Sequence, residues 1–311
     1  MDLNSRTQLY GVLGDPIEHS LSPLIHNAAF RHFKLNAVYL AFRVAPEALG
    51  LAFEGLRAME IRGVNLTIPF KQTAIEFIDE IPEDLDRATG AINTVVNRDG
   101  ELYGYNTDGV GFLTSLQEDL RFDPEGKTAL VLGAGGSSCG VVFALARAHA
   151  DRILVLNRTQ ERAQGLKDFA QPYFPETEIA VLGAPDELGL EKIDLVVNTT
   201  SCGMIPPPVS RRGAPLHAQG APSARETGGG MKGNADMPLD LKRLKNKASV
   251  YDLVYAPAET AFLKSAKELG WPAVNGLGML AAQAALSFEL WTGKKEGVRE
   301  AMREALKTCP Q

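Results

Sequence analysis

Along the first third of the chain, short apolar runs alternate with segments whose apolar residues recur every three to four positions. The runs QLYGVLG (8–14), NAVYLAFRV (36–44), RGVNLTI (62–68) and INTVV (92–96) are rich in Val, Leu, Ile and Tyr and predict strands. Between them, PLIHNAAFRHF, PEALGLAFEGLRAME and KQTAIEFIDEI predict helices, with Pro23 and Pro46 near the first turns of two of them. Arg98-Asp99-Gly100 separates INTVV from ELYGY and predicts a hairpin.

From Lys127 onward the pattern changes. TALVLG, RILVLNR, EIAVLG, DLVVNTT and SVYDLVY are almost continuously apolar, as strands buried on both faces of a parallel sheet are. Helical stretches such as VVFALARAHA and TAFLKSAKELG fall between them, which predicts a βαβ series and a doubly wound sheet. A final helix, from Met279 to about Leu290, is expected to pack back on the first domain. The 311 residues suit two α/β domains, and no internal repeat is visible. Residues 205–238 break the pattern: six Pro and six Gly in 34 residues, with few large apolar side chains, predict a surface insertion without a core of its own.

Composition narrows the class further. An apolar share of 45% and a charged share of 23% exclude fibrous and globally disordered readings. The net charge of −6 leaves no basic field for nucleic acid or an anionic membrane. Cys139, Cys202 and Cys309 are too few and too far apart for a disulfide framework or a paired metal site. The opening segment has no secretory pattern, and no apolar run reaches the ~18 residues of a membrane span. A cytoplasmic protein is expected. The five histidines show no metal-ligand spacing.

Two groups of residues carry candidate chemistry. The first is TALVLGAGGSSCG, a strand, glycine-rich turn and helix start. Gly133, Gly135 and Gly136 let backbone amides approach a pyrophosphate, although the third glycine of the usual fingerprint is Ser138 here; a plain tight turn is the other reading. The following strand ends in Asn157-Arg158-Thr159, where NAD-binding folds place a carboxylate for the ribose 2′-hydroxyl. Arg158 there, with Arg162 one turn later, suits a 2′-phosphate and favours NADP, unless both are merely solvated.

The second group lies in the first domain. In RGVNLTIPFK, Val64, Leu66 and Ile68 share one face, so Asn65 and Thr67 share the other, and Lys71 follows just past Pro69. HSLSP places Ser20 and Ser22 at a loop-to-helix junction, where Ser22 would also serve as an N-cap. Asn93 and the Asn106-Thr107-Asp108-Gly109 turn add further polar groups. Gln283 falls in an apolar helical stripe with Met279, Leu286 and Leu290, either as a satisfied core amide or as a ligand contact. Together these suit a small polyhydroxylated ligand.

These segments resemble shikimate dehydrogenase over nearly the whole chain outside 205–238. GDPIEHSLSPLIHN (14–27), GVNLTIPFK (63–71), GAINT (90–94) and GYNTDGVG (104–111) look like that family's substrate-domain signatures. GAGGSS (133–138), NRTQER (157–162), NTTSCGM (198–204), DLVYAPAET (252–260) and NGLGMLAAQAALSFELWTG (275–293) look like its cofactor-domain and C-terminal ones.

The resemblance implies NADP-linked interconversion of 3-dehydroshikimate and shikimate in aromatic amino-acid (chorismate) biosynthesis, with no metal. It implies a substrate domain of 1–112, joined by 277–311, and a Rossmann-like NADP-binding domain of 113–276. Position by position, Lys71 and Asp108 match the family's catalytic pair. Ser20, Ser22, Asn65, Thr67, Asn93, Tyr255 and Gln283 match its substrate contacts. Gly133, Ala134, Gly135, Gly136, Ser137, Asn157, Arg158, Thr159, Arg162, Leu253 and Gly276, with Met279 beside them, match its cofactor contacts.

Ser137, Ser138 and Cys139 depart from the small alanines and basic residue common at those positions, a change expected to bear on cofactor affinity and to leave the turn intact. The family includes monomers and homodimers. Three competing readings are a quinate/shikimate dehydrogenase using NAD, a catalytically silent NADPH-binding sensor, and a methylene-tetrahydrofolate dehydrogenase-like enzyme. Arg158 argues against the first. The presence of both Lys71 and Asp108 argues against the second, and HSLSP together with GYNTDG argues against the third.

Overall fold

Three parallel strands, β1 (Gln8–Gly14), β2 (Ala37–Arg43) and β3 (Gly63–Leu66), and an antiparallel pair, β4 (Thr94–Arg98) and β5 (Glu101–Tyr105), form one sheet in the order β2-β1-β3-β4-β5. The computed structural model describes residues 3–184, 187–188, 192–204 and 237–308. The sheet belongs to a unit comprising Met1–Gly111 and Leu280–Pro310. Alternation along its strands feeds two cores. Tyr10, Val12 and Tyr39 pack with Phe30 of helix α1 (Ser22–His32) and with Phe288 and Met302 of the C-terminal helices α9 (Leu277–Thr292) and α10 (Val298–Lys307). Leu13, Leu66 and Val95 pack on the other face with Phe53 of α2 (Leu49–Ala58). The last part of the chain thus returns to the first sheet, as expected.

The segment KQTAIEFIDEI does not form the single helix its spacing suggests. A four-residue α3 (Phe70–Thr73) runs into a 3-10 turn at Ala74–Phe77, and the chain then becomes extended. Backbone pairing with β5 wins there. Leu102 O accepts from both Asp79 N–H and Glu80 N–H, Glu80 bridges Tyr103, and the Asp79 carboxylate takes the Leu102 amide at 2.7 Å. Arg57 pairs with the same carboxylate. Two helices carry no obvious pattern, α4 (Asp84–Thr89) and α5 (Asp108–Leu120). In α5 the glycines 109 and 111 weaken the helical signal, although Phe112 and Leu116 are fully buried four residues apart.

The second unit, Phe112–Met279, holds six parallel strands: β6 (Thr128–Leu132), β7 (Arg152–Leu156), β8 (Glu178–Val181), β9 (Leu195–Asn198), β10 (Ser249–Asp252) and β11 (Ala273–Asn275). Their order, β11-β10-β9-β6-β7-β8, is that of a dinucleotide-binding sheet built from two halves wound in opposite directions. Helices α6 (Gly136–Arg147), α7 (Gln160–Ala170) and α8 (Ala261–Glu268) follow β6, β7 and β10. Leu130, Val131, Val155, Val196 and Val197 are all fully buried, which explains the unbroken apolar runs. The order reverses between β6 and β9, so their carboxyl ends frame the crevice where such sheets take ligands. Edge strand β11 has only three residues, each half-buried, and lacks a strand-like signature.

Of the Pro/Gly-rich stretch 205–238, residues 205–236, with His217, lie outside the described residues, as does Cys309. No helix among the described residues is long and apolar enough to cross a membrane.

Candidate active site

Lys71 sits in α3, one residue after the turn that ends β3, where Phe70 N–H bonds back to Thr67 O at 2.8 Å. Asp108 opens α5, at a helix N-terminus that favours a carboxylate. The two meet: Lys71 Nζ donates to Asp108 Oδ2 at 2.5 Å, with the side chains only 27% and 16% exposed. The other carboxylate oxygen, Oδ1, accepts from Asn93 Nδ2 at 2.8 Å. Backbone links hold the three together, since Ile92 N–H bonds to Lys71 O and Asn93 N–H to Tyr105 O. Asn106 pins the turn before Asp108: its Oδ1 caps the Asp108 amide at 3.1 Å and its Nδ2 donates to Ala91 O at 3.0 Å.

Asn93 is itself fixed on every side. Its Nδ2 also lies 2.9 Å from Thr107 Oγ1 and 3.3 Å from Gln283 Oε1, and its Oδ1 accepts the Thr107 amide at 2.9 Å. Gln283 is therefore no isolated core glutamine, since its side-chain oxygen reaches Asn93, and so the Lys71–Asp108 cluster, from α9. Asn65 lies beneath. The β3–β4 register sets it opposite Thr94, so its Nδ2 faces Thr94 Oγ1 at 3.1 Å and Ser287 Oγ at 3.0 Å. Its Oδ1 accepts the Tyr39 hydroxyl at 2.8 Å. A buried amide left without partners costs ~1–3 kcal/mol, and here both ends are engaged by the protein.

Thr94 and Ser287, fully buried and 2.8 Å apart, complete this layer. Sequence reasoning did not single them out. The one available signal was the placement of Ser287 one helical turn after Gln283.

Ser20, Ser22 and Thr67 stand on the same unit. Ser22 is the first helical residue of α1 and Leu21 occupies the N-cap without a side-chain cap bond, so capping does not account for Ser22. Instead Ser22 N–H bonds to Ser20 Oγ at 3.3 Å, and the Ser22 hydroxyl lies against the Tyr39 phenol, which burial holds in its neutral form. Thr67 is half-buried.

Tyr255 is in the other unit, half-buried, with burial pushing its phenol up. Close to it in sequence, Leu253 meets Gly276 so tightly that a Cβ on Gly276 would fall 2.3 Å from Leu253 O.

The glycine turn follows β6 in that second unit. Gly133 has φ +113°, open to glycine alone at low cost, and bonds through its amide to Leu156 O on β7. The first i→i−4 bond of α6 is Cys139 to Gly135, so the amides of Gly136, Ser137 and Ser138 have no helical acceptor and point out of the helix N-terminus. A Cβ on Gly135 or Gly136 would meet nothing within 4 Å, which leaves that end open to an anion. Asn157 directly follows β7 and folds its amide onto Thr159 O at 2.8 Å. Arg158 and Arg162 are exposed and form no ion pair among the described residues. These residues fit a phosphorylated dinucleotide. Cys139 is buried, which pushes its thiol up to about 11, and packing rather than reactivity describes it. Among the described residues, no three His, Cys, Asp or Glu side chains gather as metal ligands.

Comparison with known proteins identifies three matching stretches of the chain. Residues 12–95 match the shikimate dehydrogenase substrate-binding domain, residues 116–204 the shikimate/quinate 5-dehydrogenase domain, and residues 276–307 the shikimate 5′-dehydrogenase C-terminal domain. A shikimate dehydrogenase (NADP(+)) of Caldanaerobacter subterraneus subsp. tengcongensis is 39% identical over 306 residues, covering 97% of this chain and 99% of its own. The crystal structure of shikimate dehydrogenase from Aquifex aeolicus superimposes with a TM-score of 0.80 at 36% identity, over 98% of this chain and 100% of that one. The Thermus thermophilus shikimate 5-dehydrogenase in complex with NADP(H) and shikimate gives 0.76 at 32% identity, over 96% and 99%. With a paired lysine and aspartate in one unit and a glycine turn in the other, the chain belongs to the shikimate dehydrogenase family.

Proposed function

We propose that the protein catalyses the reversible NADPH-dependent reduction of 3-dehydroshikimate to shikimate, a step of aromatic amino-acid (chorismate) biosynthesis. The observation that carries the reading is the Lys71–Asp108 pair at 2.5 Å, built on a frame of buried amides and hydroxyls.

NADPH, when bound, supplies the hydride. The amides of Gly136 and Ser137 and the exposed Arg158 and Arg162 would hold it, with Leu253, Gly276 and Met279 alongside. Ketone reduction also needs a proton at the developing alkoxide. The Lys71 ammonium delivers it from Nζ and takes it back in the reverse direction, and its charge stabilises the oxyanion. Asp108 keeps that ammonium in place and offers a carboxylate oxygen to a neighbouring substrate hydroxyl. Asn93 fixes the carboxylate. Ser20 and Ser22 take the substrate carboxylate, and Thr67, Gln283 and Tyr255 its hydroxyls, with Asn65 supporting them. The substrate part is residues 1–112 with 277–311, and the cofactor part is 113–276. The enzyme acts in the cytoplasm without a nucleic-acid partner; light scattering decides between a monomer and a homodimer.

Initial rates with shikimate or quinate, each paired with NADP or NAD, test the reading. Strong preference for shikimate with NADP is expected. Comparable turnover of quinate with NAD would move the protein to the catabolic branch. NADPH binding without turnover of either substrate would make it a sensor.

A further inference from the structure

Two hydroxyls beneath the glycine turn make a connection that the fingerprint does not contain. Ser138, fully buried, stands where the fingerprint has its third glycine. Its Oγ lies 2.6 Å from Thr199 Oγ1 and 3.0 Å from the amide nitrogen of Gly135. Thr199 Oγ1 is in turn 2.7 Å from Leu132 O, at the end of β6.

Proton counting fixes the direction. A carbonyl only accepts, so the single Thr199 proton goes to Leu132 O. The Ser138 proton then goes to Thr199 Oγ1, and the Ser138 oxygen receives the Gly135 N–H. The chain runs Gly135 N–H to Ser138 to Thr199 to Leu132 O, from the turn across the β6–β9 switch point. The pair also abuts Gly133, whose absent Cβ would fall 2.6 Å from Thr199 Oγ1 and 3.2 Å from Ser138 Oγ.

We infer that Ser138 and Thr199 are positioning residues for the dinucleotide, locking the glycine turn so that the Gly136 and Ser137 amides are presented to the pyrophosphate in a fixed array. The inference rests on the NADP reading above. Gly135 N–H, consumed internally, is withheld from the ligand. The helix start carries the anion, and the relay spares binding the cost of ordering the turn.

The test is NADPH titration by fluorescence together with initial rates on the full-length enzyme. Ser138→Ala and Thr199→Val each raise the NADPH Kd roughly 3- to 10-fold, the effect of one lost hydrogen bond, and the loss falls on KM for NADPH rather than on kcat. Thr199→Ser, which keeps the hydroxyl, binds as the parent does. Because the two residues act through one chain, the double variant is no weaker than the poorer single within about two-fold. Unchanged or tighter binding in the single variants, multiplying effects in the double, or loss of binding in Thr199→Ser would each overturn the relay. If either single variant fails to fold, the other, set against Thr199→Ser, still decides. A parent enzyme that bound no NADPH would remove the NADP reading itself, a different result from a binding parent with indifferent variants.

Discussion

Asn93 donates its side-chain amide to Asp108 Oδ1 at 2.8 Å and leaves Oδ2 to Lys71, so one neutral residue decides which carboxylate oxygen faces the ammonium. The same amide nitrogen also lies 2.9 Å from Thr107 Oγ1 and 3.3 Å from Gln283 Oε1, contacts that favour the orientation facing Asp108. Asn93→Ala is therefore expected to lower kcat roughly 10- to 100-fold through misplacement of the pair, with a smaller rise in KM for shikimate. Steady-state kinetics check this, and an unchanged kcat would show that Asp108 needs no such support.

Lys71 is expected to carry the proton. Lys71→Ala should lower kcat about 10²- to 10⁴-fold in both directions while shikimate still binds. Lys71→Arg separates charge from proton transfer: a guanidinium keeps the positive charge and the ion pair with Asp108, but it does not give up a proton near neutral pH. It should bind shikimate, measured by calorimetry, and remain slow. Restored turnover in Lys71→Arg would mean that charge alone suffices.

How much of this is legible in the sequence depends on how local each feature is. The glycine turn and Arg158 stand out because a strand end, a turn and a helix start follow one another along the chain. Lys71 and Asp108 are 37 residues apart, with no spacing that joins them; resemblance to a family paired them, and β3, β4 and the start of α5 bring them together. The pairing of Asn65 with Thr94 depends on an antiparallel register that no single segment encodes. The same holds for the break after α3, where spacing favours a helix and pairing with β5 overrides it. Ser138 was visible as an exception to a fingerprint, but its partner Thr199 lies 61 residues on, across the sheet.

Arg158 is expected to set the choice between cofactors. It is exposed, lies two residues beyond β7 and has no carboxylate competing for it among the described residues. Arg158→Ala should raise KM for NADPH roughly 10- to 100-fold, the scale of a charge-assisted contact, and leave KM for NADH nearly unchanged. Arg158→Asp should reverse the preference, because a carboxylate accepts from a ribose 2′-hydroxyl and repels a 2′-phosphate. Equal losses with both cofactors would place Arg158 elsewhere than at the 2′-position.

His26 ties the core of the first unit to pH. It is fully buried, its ring stacks on Tyr39 with centroids 4.3 Å apart, and neither ring nitrogen has a partner in hydrogen-bonding geometry. Desolvation lowers its pKa from 6.5 to about 3, with Asn65 beside the ring opposing the shift. The imidazole is thus neutral in the folded protein, while the unfolded chain takes up a proton near pH 6.5. Above that pH the two states hold equal protons at this site and it contributes no slope. As pH falls below about 6.5 the unfolded state binds the extra proton, and stability drops by up to about 1.4 kcal/mol per pH unit until the folded ring titrates near 3. Urea unfolding between pH 7 and pH 4.5 should show this loss, and His26→Leu should reduce it by about one proton's worth. A slope identical in the two proteins would mean that His26 is protonated, or exposed, in the folded state.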